Sequence, residues 1–363
     1  MDRTVTLPAT TPPETQTLQS VQVLRAAAAI AVAWFHIAPH LAGHLQGSIV
    51  GPLLKAGDAG VDVFFVISGF IIWLSSERAT APGAFLYRRL TRIFITLWPA
   101  VLIFVAAIML QGLKLPPAED LMRSITLVDP VPMDVRHGLY VTWSLTYEVL
   151  FYICFAGLIV VGRQHALLAG AAVVAFIETA RLLHTPTEFH ETSLLTSHRH
   201  YEFLMGCAAA YWMDRIGAAR WQAAALAMGA ALVALGLYED LTHGTVNSVF
   251  RYGLGTALVL VAVPLLEPLC RNRAGAALGK VGDWSYAFYL LHPTVKLFMG
   301  LHVLWIWMPA PAYVAMTLAV YTALSLLAAA LFHRWIEQPL LRLSREYAPG
   351  KPQKKWPPMR AAS

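Results

Sequence analysis

About ten apolar runs, near 21–40, 60–77, 91–111, 142–161, 166–183, 200–214, 221–238, 248–268, 284–302 and 311–333, limit what this chain can fold into. Most have the ~20 residues that an α-helix needs to cross ~30 Å of hydrocarbon. In lipid every backbone N–H and C=O must be satisfied within the protein, so a span is either a helix or a strand of a closed barrel. The runs are continuous rather than alternating, which selects helices. The expectation is an all-α, polytopic integral membrane protein of about ten transmembrane helices. Composition agrees: 57% of the 363 residues are hydrophobic and 13% are charged, about half the ~25% charged residues of soluble domains.

Orientation follows from Lys and Arg. With Arg25 set aside inside the first run, a cytoplasmic N-terminus puts 18 of the remaining Lys and Arg on the cytoplasmic side and 8 on the other. Basic residues are retained on the cytoplasmic side, so both termini are expected there. The net charge of +6 is read as this anchoring, with membrane lipids as its partners; no basic stretch interleaved with aromatics points to nucleic acid. Cys154, Cys207 and Cys270 lie in or at the ends of apolar runs and form no CxxC, which argues against disulfides and cysteine-bound metal. Segment 1–19 is polar without a basic start and is expected to be a disordered cytoplasmic tail rather than a cleaved signal. Segment 20–343 is then a membrane domain, with no room for a second soluble domain. Segment 344–363, with "GKPQKKWPPMR", is a basic cytoplasmic tail.

Charged and titratable side chains inside spans are costly and tend to be kept for function. "SVQVLRAAAAIAVAWFHIAPH" carries Arg25 and His36, eleven residues apart. That separation is about 20° from three full turns, so the two share a face, about 16 Å apart along the axis. The bland alternative is a snorkelling Arg and a His that only packs; the shared face weakens it. "WSLTYEVLFY" puts Trp143 at a span mouth and Glu148 about one and a half turns inside, near the depth of His36. A carboxylate and an imidazole at one depth can form a dyad in which Glu148 orients His36 as a general base; the alternative is a structural ion pair.

"GDAGVDVFFVISGFII" has Asp58 and Asp62 one turn apart at a span mouth, and Gly60 and Gly69, which permit close helix approach. Its Ser68 lacks the strand–turn–helix setting of a nucleophile elbow and is read as an interhelical hydrogen-bonding residue. "FLYRRLTRIF" brings Arg88, Arg89 and Arg92 to the cytoplasmic start of the third span. Guanidinium forks suit phosphates, although positive-inside anchoring alone would account for this segment. Arg199 and Glu202 at the mouth of the sixth span, and His292 mid-span in "DWSYAFYLLHPTV" with Tyr286 and Tyr289 nearby, join Asp58, Asp62 and Trp143 as candidates for an acceptor site. His184, His190, His198 and His200 with Glu188 and Glu191 match no standard ligand spacing, so no metal is expected.

In order along the chain, "LRAAAAIAVAWFH", "GVDVFFVISGF", "YRRLTRIF…WP", "WSLTYEVLFY", "YEFLMG", "SYAFYLLHP" and "RWIEQPL" resemble the membrane-bound acyltransferase family 3, over Leu18 to Leu343. The family signature is a basic residue, ten residues and a His, here Arg25 and His36. The resemblance implies O-acylation of a glycan or antibiotic, with His36 essential and Arg25 its motif partner. It places Glu148 in the WSLxxE element and Arg88 and Arg92 on a cytoplasmic motif for an acyl-coenzyme A donor. The match is to the short exopolysaccharide O-acetyltransferases of the xanthan and succinoglycan type. The expected reaction therefore moves an acetyl group from acetyl-CoA to a hydroxyl of an exopolysaccharide or its lipid-linked precursor, in the bacterial cytoplasmic (inner) membrane. The alternative from another class is a glycan or lipid transporter or flippase that uses the intramembrane Arg, His and Glu; it predicts inverted repeats with matched broken spans, and the sequence shows no such symmetry.

Overall fold

The computed structural model describes residues 18–76, 81–128, 138–183, 194–243, 249–299 and 307–348. The outer parts of both expected tails lie outside them, as do Arg78, Arg136, His184, Glu188, His190 and Glu191. Among the described residues there are fourteen α-helices and no strand. They are α1 (Gln19–Leu41), α2 (Val50–Lys55), α3 (Gly60–Ser76), α4 (Pro82–Leu110), α5 (Ala118–Thr126), α6 (Trp143–Val161), α7 (Ala166–Leu183), α8 (Arg199–Met213), α9 (Ala219–His243), α10 (Leu254–Val261), α11 (Val263–Cys270), α12 (Arg273–Phe298), α13 (Ala310–Phe332) and α14 (Gln338–Glu346).

Every expected span coincides with a helix or a helix pair. Seven, those containing α1, α3, α4, α6, α7, α9 and α13, are long and apolar enough to cross a membrane, or eight if α10 and α11, bent by 75° at one break, count as one. The other two expected spans are α8, only 15 residues long, and α12, whose 26 residues include Arg273, Lys280, Asp283 and Lys296. This is the form of a multi-pass membrane protein.

The core is built on two parallel pairs. α1 lies along α12, and α3 lies along α8, with α4, α6, α10 and α13 packed around them. Alanines make α1 a strong helix former with a thin profile. Gly282 of α12 takes advantage of it: a Cβ there would lie 2.2 Å from the Gln22 carbonyl oxygen. The α3–α8 seam is interlocked from both sides. A Cβ on Gly69 would lie 2.1 Å from the Phe203 oxygen, and one on Gly206 would lie 2.0 Å from the Val66 oxygen. Without a hydrophobic drive between helices in lipid, such backbone-to-backbone contact supplies the attraction.

The start of α1 has no capping side chain of its own. Glu267 of α11 caps it from outside, accepting from the Gln19 N–H (2.9 Å), the Ser20 N–H (3.0 Å) and the Ser20 hydroxyl (2.8 Å). A carboxylate at a helix N-terminus satisfies orphan donors and complements the dipole. The 75° bend between α10 and α11 belongs to the same device, because a carboxylate from α11 has to turn back on the first turn of α1.

Candidate active site

A narrow cavity of about 110 Å³ lies between α1, α3, α4, α6 and α12. Its charged lining consists of Arg25, Arg89, Arg92 and Glu148, so it is net positive. Glu148 accepts hydrogen bonds from the Ser68 hydroxyl (2.8 Å) and the Tyr152 hydroxyl (2.5 Å). Ser68 is thus an interhelical bonding residue, as its sequence context suggests. Arg25 is steadied by the Gln22 side-chain oxygen (3.1 Å), and the Gln22 amide donates to Asp283 (2.8 Å). Arg89 donates to the Ser75 hydroxyl and lies over the Phe85 and Tyr152 rings, at 5.8 and 5.9 Å. Arg88 is exposed and is not part of the cavity wall.

His36 is elsewhere. Its Nδ1 is 3.1 Å from Nε2 of the fully buried His292. The partner expected from sequence was Glu148, but that carboxylate accepts from Ser68 and Tyr152, in the cavity that Arg25, Arg89 and Arg92 also line. A buried negative charge is best compensated there, and the place beside His36 falls to a neutral ring. The His292 Nδ1 is 3.3 Å from the Phe288 carbonyl oxygen. A carbonyl only accepts, so Nδ1 carries the proton, and Nε2 of the neutral ring is an acceptor. His36 must then donate from Nδ1, which leaves its Nε2 lone pair available. Each tautomer is fixed by the bond before it, and the Tyr321 hydroxyl steadies the chain by donating to the His292 carbonyl (3.1 Å).

Between cavity and imidazoles stands Tyr289. It lines the cavity, its ring centroid is 5.8 Å from that of His292, and its hydroxyl is bonded to the Val141 oxygen and to Ser144, both at 2.8 Å. This ring closes the cavity on the side of the imidazole pair. On the other side of His36 is Tyr140, 5.1 Å between ring centroids. The Tyr140 hydroxyl is buried and has no hydrogen-bond partner among the described residues. Sequence reasoning missed it; the signal available was an aromatic with a polar tip just ahead of the Trp143 span mouth.

The remaining candidates form a third group, at the first turns of α3 and α8. Arg199 is ion-paired to the buried Asp62, lies 3.6 Å from Glu202 and stands 5.5 Å over the Trp143 ring. Glu202 is fully buried, and neither of its carboxylate oxygens has a hydrogen-bond partner among the described residues. Asp58, half-buried, lies in the turn that leads into α3. The structure thus brings together Arg25, Arg89, Arg92 and Glu148, separately His36 and His292, and separately Asp62, Arg199, Glu202 and Trp143.

Comparison with known proteins places the chain. A family model described as "Acyltransferase domain" matches residues 18–333. The exopolysaccharide production protein ExoZ of Rhizobium meliloti (strain 1021) is 30% identical over 303 residues, 80% of this chain and 91% of that protein. The acyltransferase MdmB of Streptomyces mycarofaciens is 26% identical over 373 aligned positions, 92% of this chain and 94% of the relative. No solved structure matches. The chain belongs to this acyltransferase family, and it is an acyltransferase.

Proposed function

We propose that this acyltransferase moves an acetyl group from acetyl-coenzyme A to a hydroxyl of an exopolysaccharide, or of its lipid-linked precursor, at the bacterial cytoplasmic membrane. The unit that does so is segment 20–343, with 1–19 and 344–363 as cytoplasmic tails. The observation that carries the reading is the bonded pair His36–His292, 3.1 Å apart, next to a positively charged cavity.

Coenzyme A is a polyanion on a long thin arm. Arg25, Arg89 and Arg92 would hold its phosphates from the cytoplasmic side, with Arg88 at the exposed rim, because guanidinium forks bind phosphate oxygens in pairs. The arm would enter the cavity with Glu148 setting the spacing of the guanidiniums, and Tyr289 would turn aside to admit the thioester to His36. Asp58, Asp62, Trp143, Arg199 and Glu202 would bind the acceptor sugar, whose hydroxyls match carboxylates and an aromatic face. The His36 Nε2 then removes the hydroxyl proton as the oxygen attacks the thioester carbonyl. The Tyr140 hydroxyl donates to the oxyanion that develops. Collapse breaks the C–S bond, and the thiolate takes the proton back from His36.

The test is acyl transfer in proteoliposomes with acetyl-CoA and isolated polysaccharide, with the product weighed by mass spectrometry. His36→Ala is expected to lower the rate by about 10²–10⁴-fold; full acylation by that variant excludes the mechanism. Arg89→Gln with Arg92→Gln is expected to raise KM for the donor at least ~10-fold with little change in kcat, the mark of lost ground-state binding. A polysaccharide of unchanged mass in cells lacking the protein would remove the proposed acceptor.

A further inference from the structure

Six side-chain hydroxyls line the arginine cavity, and five of them are committed. Ser68 and Tyr152 donate to Glu148. Tyr286 donates to the Ile93 oxygen (3.0 Å). Ser144 and Tyr289 are bonded to each other and to the Val141 oxygen. The sixth belongs to Ser285 of α12. It is fully buried, and its Oγ has no hydrogen-bond partner among the described residues. A serine inside a helix ordinarily bonds back to the carbonyl one turn earlier; Ser285 does not. A buried hydroxyl without a partner is costly, and at the wall of a cavity the partner that makes up for it is a ligand.

Ser285, Tyr289 and His292 stand at i, i+4 and i+7 of α12, so they form one stripe along the helix. The stripe starts in the arginine cavity and ends at the imidazole pair, with Tyr289 between. Ser285 and His292 are two turns apart, ~10.5 Å along the axis.

The arm of coenzyme A carries two amides. An extended chain advances ~3.5 Å for every three backbone bonds. The amide nitrogen nearer the sulfur, about three bonds away, is then at ~3.5 Å, and the farther one, about seven bonds away, at ~8 Å. With the thioester at the imidazole pair, the nearer amide is level with Tyr289, and the farther one reaches Ser285.

We propose that Ser285 is a donor-binding residue whose hydroxyl bonds the pantetheine amide farther from the sulfur. The arginines hold the phosphate end of the arm. A bond midway along it fixes the register and stops the thioester beside His36. This role rests on acetyl-coenzyme A being the donor.

The experiment measures kcat/KM for the full chain and for Ser285→Ala in proteoliposomes. Three donors are used: acetyl-coenzyme A and two analogues in which one amide or the other is replaced by a pair of methylenes. Both analogues keep the phosphates and the thioester. Where an analogue is not turned over, its inhibition of transfer from acetyl-coenzyme A gives the same comparison. The unmodified chain should lose about 5–10-fold on the far-amide analogue. Ser285→Ala should lose as much on acetyl-coenzyme A and nothing further on that analogue, the mark of one shared interaction. On the near-amide analogue the substitution should still cost its full factor. The melting temperature of the variant confirms that it is folded. An equal loss on all three donors makes the serine structural and overturns the proposal. So does no loss on any donor, or a loss that vanishes on the near-amide analogue, which would put Ser285 on the other amide. No transfer from acetyl-coenzyme A by the unmodified chain is a different result, and removes the donor itself.

Discussion

The helical spans around α3 and α7 have the same mean hydropathy, 1.8, yet 61% of the first and 6% of the second is buried inside the protein. In water such a difference would show in composition, because exposed faces must be polar. In lipid both faces are apolar and hydropathy does not sort inside from outside. What separates the two helices is their small and polar residues. α3 carries Asp62, Ser68 and Gly69, each engaged with another helix. The apolar residues of α7, such as Leu167, Leu168 and Leu182, stand 71–85% exposed, where lipid covers them.

Four substitutions and one control sharpen or break that contrast. The largest effect is expected at the seam: Gly206→Leu should destabilise the protein by about 3 kcal/mol through overpacking, seen as a lower melting temperature in detergent. Gly157→Leu, where a Cβ meets nothing within 4 Å, is the control; equal effects at both would refute the seam. Next is His292→Ala, expected to lower kcat about 10–100-fold with KM little changed, as for loss of an orienting partner. Unchanged kcat would mean that the imidazole pair only fills space. Glu267→Ala should cost about 1–2 kcal/mol, the worth of a helix cap, in the same thermal assay. The smallest change is predicted for Leu167→Ala, within about 0.5 kcal/mol; a larger loss would show that α7 packs on something the bundle itself does not provide.

The helical class was legible because hydrocarbon permits few alternatives, and the helices of all ten predicted runs are present. Their status as spans was less legible. α12 carries charges along its length, and α10 and α11 are broken at Ala262, a bend that local sequence signals only through Pro264. In the site, depth along a helix could be counted. Which neighbour each side chain meets could not be counted. Counting along the spans predicts matching depth for His36 and Glu148, yet Glu148 lines the cavity with Arg25, eleven residues or about 16 Å of helix from His36. His292 was visible as an intramembrane His; its role as the ring bonded to His36 depends on α1 and α12 lying side by side, which no spacing within either helix reveals. Tyr140 carries no motif and emerges only from its buried hydroxyl, which has no hydrogen-bond partner among the described residues.

The reciprocal glycines of α3 and α8 have a mechanical corollary. Two backbones in contact at Gly69 and Gly206 cannot slide or roll without collision, so this half of the molecule behaves as a stiff plate. Any widening that lets a bulky thioester reach the imidazoles then falls to the other half, by give between α12 and its neighbours α4 and α13. A crosslink across that softer boundary would jam turnover, and one across the plate would leave it running.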